Sequence, residues 1–320
     1  MSKQDPSQTR ETSAFRRMRG CLCFIIFVQC IGVGGRYLFT SHEIESDVYG
    51  WLYFDHDWPE SVAQTIDNAG SVLTLTMGCC LCITEILRWR RPDLTRRTPL
   101  LRLTQVASLW IAIWMLVTAM THMMRADVYA ELTLAEHAVR YTAPVALLVG
   151  LEGTLRSSPT TDHWKASRLW GDPASIWLLV LSASATFAAH GYKAIECYGQ
   201  FTDLILLSDL QWTNLGWGQK TTERILVAIG ALDILVAFLL LSVRSRFAAF
   251  YMACWGLVTA TSRMTALGLD AWPETLIRAA NGGVPAAIFI YWVTLRKCDE
   301  TYQASTCQPE TTDPLSQGAP

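Results

Sequence analysis

The chain has 320 residues, of which 51% are hydrophobic and only 17% charged, with a formal net charge of −2 and a mean hydropathy of +0.23. A soluble domain carries about 25% charged residues, so this composition excludes an ordinary soluble enzyme and points to an all-α polytopic membrane protein. The bilayer is the expected partner and nucleic acid is not.

A helix needs about 20 apolar residues to cross roughly 30 Å of hydrocarbon. Blocks of that kind fall near 21–39, 69–87, 103–124, 138–152, 173–195, 222–243, 247–265 and 276–295, which predicts eight transmembrane helices. The polar tail 1–20 precedes the first. No small-x-small cleavage site follows "IGVGGRYLF", so the first span is expected to be retained rather than removed as a signal peptide. The second contains "GCCLC", whose Cys79, Cys80 and Cys82 read as small apolar residues in mid-span. The fourth is the shortest and contains Arg140 and Pro144. A polar linker, 153–172, separates it from the fifth, and a Thr-, Gln- and Pro-rich tail, 298–320, reads as disordered.

Short loops rich in lysine and arginine stay cytoplasmic. Most of the 26 basic residues lie in the N-terminal tail, in "RWRRPDLTRRTPLLR", in the middle linker and after spans six and eight, all on one side of an eight-span chain. Both termini are therefore expected in the cytoplasm of a bacterial-type inner membrane. The opposite side is acidic and carries Trp51, Trp58, Trp212, Trp217 and Trp272, as an interfacial aromatic belt would.

The two halves of the chain resemble each other. Aligned without a gap so that Trp114 meets Trp255, they share Leu116/Leu257, Val117/Val258, Thr118/Thr259, Ala119/Ala260, Met123/Met264 and Pro144/Pro285, among others. The expected architecture is two tandem four-helix bundles, 21–152 and 173–297. Because each has an even number of spans, they should be related by an axis along the membrane normal.

In that alignment His122 meets Arg263 and His137 meets Arg278, so each half keeps a cationic or potentially cationic side chain at the outer end of its third span and the start of its fourth. A charge within the bilayer costs on the order of 2.5–3.5 kcal/mol on insertion scales, so such residues usually face a partner or a wet cavity. His190, Lys193, Asp233, Arg263 and Arg278 are accordingly the candidate ligand-binding residues, grouped in the outer part of the second bundle. The first half carries Arg36, Asn68, His122 and Arg140 but puts Leu73 opposite Asp233. No matched pair of intramembrane histidines recurs, so haem is not expected, and no metal site is predicted. Nor is there a phosphate loop, a G-x-S-x-G, an H-E-x-x-H or a nucleotide fingerprint.

"TFAAHGYKAI", an outer loop and then "ILVAIGALDILVAFLLL" make the second half resemble the DoxX-like membrane proteins. The resemblance implies a four-helix unit associated with quinone-linked membrane redox systems, with Gly191, Lys193 and Asp233 in the family's glycine, lysine and acid positions. It leads to the expectation of an accessory or quinone-interacting component, with quinone as ligand and a membrane redox protein as partner. The competing expectations are a small-solute transporter using the interface between the halves and a scaffold without a ligand. Catalytic residues are not assigned.

Overall fold

The computed structural model describes residues 6–38, 46–91, 98–156 and 173–306, and among these it contains helices and no strands. Long helices occupy every predicted block: α1 (Pro6–Leu38), α3 (Glu60–Arg90), α4 (Thr98–Arg125), α6 (Ala138–Arg156), α7 (Ala174–Ile195), α9 (Gln219–Val243), α10 (Arg246–Leu267) and α12 (Ala279–Thr306). Short helices sit between them: α2 (Asp47–Tyr53), α5 (Ala130–Glu136), α8 (Gly199–Ser208) and α11 (Trp272–Ile277).

Five helices, α1, α3, α4, α7 and α9, are long and apolar enough to cross a membrane. A sixth candidate is the pair Leu269–Ile277 and Ala279–Lys297, bent by 47° at the break between them. Between them α6 offers only a shorter apolar stretch, Ala138–Leu151.

The distribution of side chains fits an apolar surrounding. On α9 the large hydrophobics Val227, Leu232, Ile234, Leu235 and Phe238 are exposed while Asp233 is buried, the reverse of a soluble helix. Hydroxyls within the long helices bond back to their own helix. Thr74 donates to Gly70 O at 2.7 Å, Thr142 to Ala138 O at 2.7 Å and Thr294 to Ile290 O at 2.7 Å, which satisfies a donor where no water is at hand.

α1 packs on α3, α3 on α4, α4 on α6 and α6 back on α1; α7, α9, α10 and α12 close a second ring in the same order. The rings meet through α1 against α11 and α12, and through α7 against α5 and α6. Two close crossings tie the second ring. Gly191 faces Gly230 between α7 and α9, and Gly256 faces Gly282 between α10 and α12, each where a Cβ would run into the partner's backbone.

Both α5–α6 and α11–α12 break at one residue. His137 ends α5 with φ −95° and ψ 2°, Arg278 ends α11 with φ −89° and ψ 1°, and each carbonyl accepts from the amide three residues on, Arg140 or Asn281, at 2.9 Å.

One expectation needs amendment. The tail segments are partly helical, since α1 starts at Pro6 and α12 continues to Thr306; "LRKCDETYQAST" has no glycine or proline to stop it. Asp67 of α3 is buried, as Asp233 is, and accepts from Ser46 Oγ at 2.5 Å. Glu85 accepts from Arg19 Nε at 3.0 Å in the α1–α3 seam. Most of the linker, 157–172, lies outside the described residues.

Candidate functional site

Between α7, α9, α10 and α12 lies a cavity of about 400 Å³, closed at the end of the bundle that bears the short helices by α8 and the turn that follows it. Its body is apolar and aromatic, with Phe187, Leu226, Ile229, Trp255 and Val258 on the helices and Phe201, Leu204 and Trp212 from the roof. Four of the five candidate residues line it: His190, Asp233, Arg263 and Arg278.

The fifth, Lys193, is turned away from the cavity wall. Its buried Nζ lies 2.5 Å from Glu136 Oε2 of α5, and 4.8 Å from the centre of the Tyr198 ring. Glu136 also takes His190, whose Nε2 is 3.3 Å from Oε1, while His190 Nδ1 is 2.9 Å from Thr186 O. Burial by itself raises the Glu136 carboxyl, but the His190 hydrogen bond and the charges of His190, His137 and Lys193 outweigh it and hold the group well below the usual carboxylate range.

A second acid anchors the other side. Glu274 of α11 accepts from Arg278 Nη1 in the same helix end and from Arg36 Nη2 of α1 at 2.7 Å. In both ion-pair systems a cation near the C-terminal end of one ring's first helix reaches an acid on the other ring's broken helix: Arg36 to Glu274, Lys193 to Glu136. Neither acid stands out in the sequence. Glu136 directly precedes His137, one of the repeated positions, and that neighbour was its only signal.

Two buried polar atoms of the cavity wall, Arg263 Nε and Asn281 Oδ1, have no hydrogen-bond partner among the described residues, while Asp233 and Trp255 Nε1 face each other without good hydrogen-bond geometry. A buried polar group left unpaired costs about 1–3 kcal/mol, so such a group on a cavity wall marks where a ligand atom or water belongs. Asp233 packs against Gly191, and Asn281 against Gly256, which follows Trp255. These three form the deep end. Arg263 lies two helical turns further along α10, roughly 12 Å from Trp255 at 1.5 Å per residue, and forms the outer end with Arg278.

Asp209 fixes the roof. At the head of the π-helical turn Asp209–Thr213 it accepts from the Thr213 hydroxyl and from the amides of Leu215 and Trp217, both at 2.8 Å. These bonds, Thr213 first, lower its pKa below that of an ordinary aspartate. Asp209→Ala is expected to raise hydrogen exchange across residues 209–218 several-fold while leaving that of α9 and α10 unchanged. Because the folded-state pKa is depressed, this latch is complete above the ordinary value of about 4 and is lost as pH falls through the lower one. Exchange in the roof, corrected for its intrinsic pH dependence, should therefore rise only in that acid range.

The Trp114 ring lies on Gly70, where a Cβ would be 1.9 Å from it, and His122 sits half-exposed with Nδ1 2.9 Å from Asp47 Oδ2. Among the described residues no group of three or more histidines, cysteines or acids could hold a metal ion. Comparison with protein families, with curated proteins and with solved structures finds no match to this chain.

Proposed function

We propose that the chain is an eight-span inner-membrane protein with both termini cytoplasmic, built from two tandem four-helix bundles, and that it acts as a DoxX-like, quinone-interacting component of a membrane redox system. The helix contacts support the duplication. Exchanging α1 with α7, α3 with α9, α4 with α10, α5 with α11 and α6 with α12 turns the contacts of each ring, and those between the rings, into one another. The matching breaks at His137 and Arg278 support it independently.

One observation carries the ligand reading: a mostly aromatic and aliphatic cavity with unpartnered polar atoms on Arg263 and Asn281 and a poorly bonded Asp233–Trp255 pair on its wall. A quinone supplies what such a site needs, a flat apolar ring with opposed polar oxygens. Protein purified in mild detergent should carry a stoichiometric quinone, detected by mass spectrometry of an organic extract. Asp233→Asn should lose it without loss of folded protein. Extracts holding only bulk phospholipid would count against a redox role.

The broken helices favour one alternative, a small-solute transporter, since interrupted helices form substrate sites in transporters. That reading requires engineered cysteines at the α1–α12 and α6–α7 seams to change their side of accessibility with solute. A redox component would leave them unchanged.

A further inference from the structure

The carboxylates around Arg263 are already committed. Of the acids whose charge reaches it, Glu274 is held by Arg36 and Arg278, and Glu136 by His190 and Lys193. Arg140 adds a further cation, in the field of the same two acids and with an Nε that has no hydrogen-bond partner among the described residues. Asp209 is occupied by its own turn, and Asp233 belongs to the deep end beside Gly191. The outer end of the cavity thus holds more positive than negative charge, and Arg263 contributes its share without an acid of its own. In a low-dielectric site an uncompensated cation is costly, and an incoming anion would relieve it.

Resting on the reading of this cavity as a quinone-type site, we propose that it binds its ring ligand as an oxyanion: one oxygen, deprotonated, on Arg263 and Arg278, and the opposed oxygen, still protonated, donating to Asp233 or Asn281. The ligand class is therefore the quinol monoanion or another amphipathic phenolate, and the proton released on binding goes to the aqueous side. The deep end fits this division, because Asn281 offers a free acceptor oxygen beside the Asp233 carboxyl. A neutral quinone, which has only acceptors, could satisfy the arginines but would leave the Asn281 oxygen unpaired.

The test uses full-length protein in detergent with an alkyl-substituted nitrohydroquinone, a phenol whose coloured monoanion keeps a protonated oxygen opposite the ionised one, its methyl ether at the acidic oxygen as the neutral counterpart, and a short-chain quinone. The bound phenol should ionise about one pH unit below its value in protein-free micelles, equivalent to roughly tenfold tighter binding of the anion. Arg263→Gln should abolish that displacement while the methyl ether still binds, which also shows the variant to be folded; Arg263→Lys should keep part of it. A phenol that binds with an unchanged or raised pKa overturns the anion proposal and leaves the cavity reading standing. Failure of the phenol, its ether and the quinone alike to bind overturns both.

Discussion

Glu136→Ala is expected to cost roughly 3–5 kcal/mol, the range for removing one partner of a buried ion pair, and to lower the midpoint of thermal unfolding in mild detergent accordingly. The size follows from what is left behind. Lys193 has a side chain only 5% exposed, its Nζ is 2.5 Å from the carboxylate, and His190 depends on the other oxygen. Alanine strands the Lys193 ammonium and leaves His190 Nε2 without its partner. Glu136→Ala combined with Lys193→Met removes the stranded ammonium and should recover a large part of the loss, a coupling that a double-mutant cycle reads directly. The reciprocal site supplies the contrast. Arg36→Met takes one cation from Glu274 but leaves it Arg278, so the acid is never alone and the loss should be smaller. Equal losses at Glu136 and Arg36, or no recovery in the double variant, would contradict this account of how the two rings are joined.

What could be read from the sequence is what depends on one segment at a time. Each apolar block became a long helix because its length and composition suffice. The buried position of Asp233 was legible because an acid within "GALDILVAF" has no solvent to reach. What depends on two segments meeting was not legible. Lys193 and Glu136 find each other across the two rings, 57 positions apart in the chain, and nothing in the local pattern of either names the other. Trp212 and Trp217 read as a membrane-interface belt because they stand in a loop; both stay exposed, and their second role, bordering the cavity that α8 covers, was not legible. Trp255 illustrates the limit from the other side. The alignment of the two halves pairs it with Trp114, but one tryptophan lies on a glycine of α3 while the other borders a cavity.

Gly256→Ala should destabilise the protein, although the same change at an unconstrained position inside a helix stabilises by about 1 kcal/mol through helix propensity. The sign is the point of the experiment. A Cβ on Gly256 would lie 2.6 Å from the backbone C and O of Asn281 and from Gly282 N, and one on Gly282 would lie 2.6 Å from Ala253 O. Main-chain atoms cannot rotate aside as a side chain would, so α10 and α12 must separate. Forcing extra carbon into such a contact typically costs 1–3 kcal/mol, and Gly256→Val should fall at or beyond the upper end of that range. The two glycines share one crossing, so Gly256→Ala with Gly282→Ala should cost less than the sum of the singles: the first already moves the helices apart. Gly199→Ala is the control, with nothing within 4 Å of the added carbon. Because Trp255 and Asn281 flank the crossing, separation also spreads the deep end of the cavity, and ligand binding should weaken in step with stability in the Gly256 series. A stabilised Gly256→Ala protein would mean that the helices do not approach this closely, and the placement of Asn281 opposite Trp255 would fall with it.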